Sequence, residues 1–179
     1  LAVVPVVLYH ASIPGFSGGF TGVDIFFVIS GFLITKMIAD DLGRGQFSLS
    51  DFYARRVRRI VPALAAMLAA VSVFAILTFT PQEMQRYGAA LISAAFFSAN
   101  IYFWRTENYF QVEPEPSPLL HTWSLAVEEQ FYIFWPLGLM LIFALGLRRY
   151  LPVLAVIGLF AAFAAALVLV RLNPQFAFY

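Results

Sequence analysis

Four stretches of the chain, Ile60–Gln82, Tyr87–Trp104, Gln130–Leu147 and Tyr150–Val170, contain no Asp, Glu, Lys or Arg. They hold 23, 18, 18 and 21 residues, and a bilayer-crossing helix needs about 20 apolar residues. Two shorter runs precede them. Leu1–Ala11 reads as the C-terminal half of a spanning helix, or as the apolar core of a signal peptide without its basic start. Val23–Met37 is apolar apart from Asp24 and Lys36 and makes a second, short span. The chain opens inside one apolar run and closes on Phe176-Ala177-Phe178-Tyr179, so it reads as a fragment cut inside its first helix and after its last. The pattern predicts an all-α integral membrane protein, a polytopic helix bundle with about six spans.

The polar positions between the runs set the connections. Pro14, Gly15, Gly18, Gly19 and Gly22 mark Ser12–Gly22 as a tight loop. Ile38–Arg59 is the polar stretch, with Arg44, Arg55, Arg56, Arg58 and Arg59, and is expected to face the cytoplasm. Ser50 and Asp51 read as a helix start. Helical spacing puts the four clustered arginines on one side and Tyr53, Val57 and Ile60 on the other. That predicts a short helix at the membrane surface feeding the third span. Thr80-Pro81-Gln82-Glu83 is a turn, and Arg105–Pro118, with three prolines and three glutamates, is a loop. Ser117-Pro118 is expected to start the next helix. If every run crosses once, Arg148 and Arg149 fall outside, against the usual bias. One re-entrant run removes the conflict, and Tyr87–Trp104, with Ser93, Ser98 and Asn100, is the run to suspect.

Composition narrows the class. The chain is 61% hydrophobic and 12% charged, against about 45–50% and about 25% in a soluble domain. There is too little polar surface for a soluble enzyme, a disordered chain or a nucleic-acid binder. Net charge is +1, so no global field favours an acidic partner. There is no cysteine, hence no disulfide framework and no thiol nucleophile. Two histidines and scattered carboxylates show no metal-ligand spacing, so no metal is expected.

Ionisable groups inside a bilayer are costly, and each is a candidate for function. His10 ends the first run and has the pKa of a general base for a hydroxyl, or is an interfacial histidine. Asp24 reads as a partner that orients His10 across the glycine loop, or as a helix cap. Arg55, Arg56, Arg58 and Arg59 read as a topology signal in contact with lipid heads, or as a site for a phosphorylated ligand. His121, Ser124, Glu128 and Tyr132 share one helix face, with Glu129 roughly 100° away. An interhelical salt bridge to an arginine is the plain alternative for these carboxylates.

The blocks Tyr9-His10, Gly18 to Ile34, Phe52 to Leu64 and His121 to Tyr132 stand in order along the chain. Together they resemble the acyltransferase-3 family of integral-membrane acyltransferases, above all its O-antigen and peptidoglycan O-acetyltransferases. The likeness runs from Leu1 to about Pro136. It implies that residues 1–179 are the N-terminal part of a membrane acyltransferase domain in the inner or plasma membrane. The family's upstream first-helix arginine would precede Leu1. Its later spans, and the SGNH-type esterase domain of some members, would follow Tyr179. The implied reaction moves an acyl group, commonly acetyl, from cytoplasmic acyl-CoA to a hydroxyl of an envelope polysaccharide or lipid-linked sugar. No cofactor would be permanently bound. The family's first-helix histidine matches His10. Its Arg-x-x-Arg motif fits Arg56 and Arg59 best, with Arg55 and Arg58 at the same spacing. Its Ser-Leu-x-x-Glu motif matches Ser124, Leu125 and Glu128. On this reading His10, Asp24 and Glu128 are catalytic, the four arginines hold CoA phosphates, and His121, Ser124, Glu129 and Tyr132 contact the acceptor. A transporter or flippase of a lipid-linked sugar is the rival, but it predicts charges along a pathway and an internal repeat. The charges cluster at helix ends, and no repeat is visible.

Overall fold

The computed structural model describes residues 3–11, 13–106 and 117–172, and the side chain of His10 lies outside the described set. Every regular element among the described residues is helical. The helices are α1 (Val3–His10), α2 (Gly22–Gly43), α3 (Leu49–Thr78), α4 (Pro81–Ala95), α5 (Ala99–Thr106), α6 (Thr122–Ala144) and α7 (Leu151–Leu172). Short 3-10 turns at Gly19–Thr21 and Leu147–Tyr150 lead into α2 and α7. Four segments are long and apolar enough to cross a membrane: Gly19–Gly43, Leu49–Thr78, Thr122–Ala144 and Leu147–Arg171. This is a membrane protein, with four such segments among the described residues where the sequence pattern predicts about six.

The difference has two sources. Among the described residues α1 supplies only eight residues, and the run Tyr87–Trp104 is not one helix. It breaks at residues 96–98, where Phe97 takes a left-handed φ of 52°. Chain direction then reverses: the Tyr102 hydroxyl donates to the Arg86 carbonyl (3.2 Å). The run is a helical hairpin, as the charge bias had hinted. A break at this depth strands backbone groups that water cannot reach. Gln130 of α6 supplies the missing donor, its Nε2 bonding the Phe97 carbonyl at 2.9 Å.

Helix directions follow from the contacts. Ser30 meets Glu128, and Trp135 Nε1 donates to Thr35 Oγ1 (2.7 Å), so α2 and α6 run parallel. Tyr53 of α3 donates to the Ile133 carbonyl (2.7 Å), while Leu64 and Leu68 join a cluster with Ala126 and Leu119, so α3 is antiparallel to α6. The α2–α3 connection and the α6–α7 connection therefore lie on the same side. Arg44, the four clustered arginines, Arg148 and Arg149 gather there; Arg86, Arg105 and Arg171 lie toward the other. The conflict over Arg148 and Arg149 disappears once the hairpin is counted as re-entrant.

Helix α3 also corrects an expectation. The basic segment and the third span form one continuous helix of 30 residues, about 45 Å long, through Pro62. It overshoots a hydrocarbon core of about 30 Å, so its basic end stands beyond the core. Ser48, not Ser50, caps it, accepting from the Asp51 N–H (3.3 Å). Likewise α6 starts at Thr122 rather than at Ser117-Pro118, because residues 118–121 form tight turns. The Glu107, Glu113 and Glu115 loop lies outside the described residues.

Packing uses small residues where backbones approach closely. Ala75, Ala90, Ala94, Ala99 and Ala126 are buried among α3, α4, α5 and α6. Within lipid the drive is dispersion between closely fitted helices rather than water exclusion. A second cluster, Ile34, Ile38, Phe52, Tyr132 and Leu139, joins α2, α3 and α6. Gly19 fixes α1: a Cβ there would lie 2.1 Å from the Pro5 carbonyl oxygen.

Candidate active site

Where α2, α3 and α6 meet, three polar side chains converge. Ser30 Oγ donates to Glu128 Oε1 at 2.9 Å. The Tyr132 hydroxyl donates to the same carboxylate oxygen and touches Ser30 Oγ. Glu128 and Tyr132 are four residues apart, one helical turn, so α6 presents them together. Parallel α2 brings Ser30 to the same level. A half-buried carboxylate in an apolar bundle needs partners, and here they are hydroxyls rather than a guanidinium.

Arg56 approaches from α3. Its guanidinium carbon lies 3.8 Å from the centroid of the Tyr132 ring and 5.9 Å from that of Phe52. This is cation–π stacking on a ring that is 2% exposed. Arg55, Arg58 and Arg59 are exposed. The four arginines differ in exposure: Arg56 turns inward and the others face out. In the Arg-x-x-Arg register, Arg56 and Arg59 pair one inward with one outward arginine.

Glu129 is 8% exposed, and its Oε1 has no hydrogen-bond partner among the described residues. Arg56 and Glu128 are its charged neighbours. An unpartnered oxygen on a buried carboxylate is uncommon and marks a place where a proton, a water or a ligand donor would be held.

The other expected site residues are dispersed. His121 and Ser124 stand at the start of α6, away from the cluster, with the Ser124 hydroxyl donating to the His121 carbonyl (3.2 Å). Ser124, Glu128 and Tyr132 follow one another at one-turn spacing along one face of α6, with His121 in the N-cap position before it. Asp24 lies exposed in the first turn of α2, and Thr21, not Asp24, is the capping position. The His10 side chain lies outside the described residues, and so does any contact between it and Asp24. The backbone of α1 is nevertheless held against the entry to α2 by Gly19 and by a Tyr9–Phe20 edge contact of 5.9 Å.

Sequence reasoning passed over Ser30, although a hydroxyl four residues from Phe26 and Ile34 in an apolar helix was a signal. It marked Asn100 only as a polar group in the suspect run and passed over its pairing with Gln130, whose amide it bonds reciprocally (3.3 and 2.9 Å). A cleft of about 590 Å³ opens between α2, α6 and α7. Phe27, Phe32, Phe131 and Leu159 line it, with Ser30 and Glu128 as its polar groups. Among the described residues no group of three His, Asp or Glu is placed to hold a metal ion.

An apolar helix bundle with a carboxylate–hydroxyl cluster under an inward arginine defines an integral-membrane protein with a polar site between its helices. The family model described as an acyltransferase domain matches residues 1–179, and the chain belongs to this acyltransferase-3 family. Over 138 residues it is 40% identical to the peptidoglycan O-acetyltransferase OatA of Listeria monocytogenes, covering 76% of this chain and 22% of that protein. It is 38% identical over 141 residues to O-acetyltransferase OatA of Staphylococcus aureus, covering 76% and 23%. An uncharacterized protein of Haemophilus influenzae is 43% identical over 118 residues, covering 66% and 48%. The chain thus spans under a quarter of the length of the two named relatives. No solved structure matches it.

Proposed function

We propose that the protein transfers an acyl group, acetyl in the first instance, from acyl-CoA to a hydroxyl of a cell-envelope polysaccharide, peptidoglycan being the acceptor its relatives' names favour. The observation that carries this reading is the inward Arg56 seated above the Glu128 cluster, in a chain whose relatives are named O-acetyltransferases. A permanent cation at the basic end of α3 fits a phosphate-bearing donor. The arginine-rich side is then the cytoplasmic one, where acyl-CoA is available.

The chemistry divides among named groups. Arg55, Arg56, Arg58 and Arg59 hold the CoA phosphates, so that the thioester reaches toward the bundle. His10 takes the proton of the acceptor hydroxyl as its oxygen attacks the thioester carbonyl. Asp24 orients His10. The carbon–sulfur bond breaks, CoA leaves as thiolate and is protonated, and the ester remains on the sugar. Glu128, held by Ser30 and Tyr132, orients the acceptor, and Glu129 offers a free carboxylate oxygen to a donor hydroxyl. His121 and Ser124, at the far end of α6, contact the acceptor as it enters.

The test is acetyl transfer from labelled acetyl-CoA into envelope polysaccharide, using membranes that express the protein at full length. His10→Ala and Arg59→Ala are compared with wild type at matched expression. Loss of labelling in both supports the reading. Wild-type labelling no higher than in membranes lacking the gene overturns it, and full labelling in both variants overturns the assignment of the site.

A further inference from the structure

Tyr132 touches two different chemistries at once. One face of its ring carries the Arg56 guanidinium, while its hydroxyl, in the ring plane, reaches Glu128 and Ser30. Stacking engages the flat face of a guanidinium and leaves its in-plane N–H edges free for phosphate oxygens. A buried tyrosine has two side-chain torsions and is 2% exposed here, so one rigid group sets the positions of both neighbours.

We propose that Tyr132 is a positioning residue that joins the two halves of the site, its ring aiming Arg56 at the donor phosphates and its hydroxyl fixing Glu128 for the acceptor. The inference rests on the donor and acceptor roles given above and adds the group that couples them. It also separates two functions of a single side chain, which substitution can take apart. Tyr132→Phe keeps the ring and removes the hydroxyl. Tyr132→Leu removes both. Tyr132→Trp restores an aromatic face without a phenol.

The experiment uses the full-length protein, purified in detergent, with two readouts. Initial rates of acetyl transfer against acetyl-CoA concentration give kcat and KM. Equilibrium binding of labelled coenzyme A gives Kd without turnover. Thermal midpoints select variants that fold. For Tyr132→Phe we expect kcat to fall at least about tenfold, with donor KM and coenzyme A Kd unchanged. For Tyr132→Leu we expect the same fall in kcat and a rise of about tenfold in Kd, between the sizes of an exposed and a desolvated cation–π contact, as fits the half-buried Arg56. Tyr132→Trp should recover the Kd but not the kcat. The inference is overturned if Tyr132→Phe weakens coenzyme A binding as much as Tyr132→Leu does. It is also overturned if Tyr132→Leu binds coenzyme A normally. Should the leucine variant not fold, unequal effects of Phe on kcat and Kd decide the matter alone. Arg56→Ala in the same binding assay separates the two levels of argument. If it weakens coenzyme A while Tyr132→Leu does not, only the coupling fails. If it binds coenzyme A as wild type does, the donor site fails and the coupling with it.

Discussion

Helix α6 carries two buried polar networks on different faces, and they are built in opposite ways. Toward α5, Gln130 and Asn100 exchange amide hydrogen bonds, and Gln130 also closes the Phe97 carbonyl. Every group there is neutral, and each bond closes a gap that the broken hairpin opened. Toward α2 and α3, Glu128 and Glu129 are ionisable, Arg56 is a permanent cation, and one oxygen of Glu129 has no partner among the described residues. A neutral, closed network holds a shape. A charged, open one stores a demand for a ligand or a proton, at a cost the bilayer would not otherwise let persist.

The contrast predicts different failures. The largest effect should come from Glu128→Gln, which lowers acetyl transfer per folded molecule by about 100-fold or more while leaving the thermal midpoint near wild type. A variant that loses stability but keeps its specific activity would place Glu128 with the structural amides. Gln130→Leu should do the reverse. It orphans Asn100 and the Phe97 carbonyl, so stability falls by about 2–3 kcal/mol, read as the detergent melting midpoint, with specific activity largely kept. Adding Asn100→Leu should recover part of that loss, because both partners then leave together.

Smaller effects test the frame around the two networks. Gly19→Ala forces a Cβ to within 2.1 Å of the Pro5 carbonyl oxygen and should cost about 1–3 kcal/mol by displacing α1. Crosslinking between cysteines introduced in α1 and α2 would report that displacement. Least of all, Thr80→Ala should cost about 1 kcal/mol at the start of α4. Glu83 completes that cap: the Thr80 N–H donates to its Oε2 at 2.7 Å, and this bond, first among the causes, holds its carboxyl below the ordinary value of 4.5. A depressed folded value means the contribution is full above 4.5 and fades as pH falls through the folded value. The slope of melting midpoint against pH in that acid range should therefore flatten in Glu83→Gln.

Much of this was legible along the chain. Uncharged runs located α3, α6 and α7, and the excess of arginine on one connection fixed which ends lie together. The quoted blocks contained every member of the charged network, Ser30 included. Other features were out of reach for physical reasons. The run Tyr87–Trp104 stood out as re-entrant, but the place of its break did not, since neither glycine nor proline stands at Phe96-Phe97-Ser98 and the Gln130 amide that bonds the Phe97 carbonyl comes from 33 residues away. Pro62 reads as a helix stop in water, yet α3 continues through it, because the surrounding helices and the absence of competing water keep the backbone bonded. The inward turn of Arg56 depends on where Tyr132 lies, which spacing along α3 alone does not encode.

The parallel pairing of α2 with α6 also orders how the protein is made. Thr122–Ala144 is the least apolar of the four crossing segments, and it carries two adjacent carboxylates. An ionised side chain mid-helix costs about 2.5–3.5 kcal/mol on entry to lipid. Helices α2 and α3 are synthesised first, and they present the Ser30 hydroxyl and the Arg56 cation before α6 leaves the ribosome. For α6, the groups that meet its carboxylate and its tyrosine lie on helices that precede it in the chain.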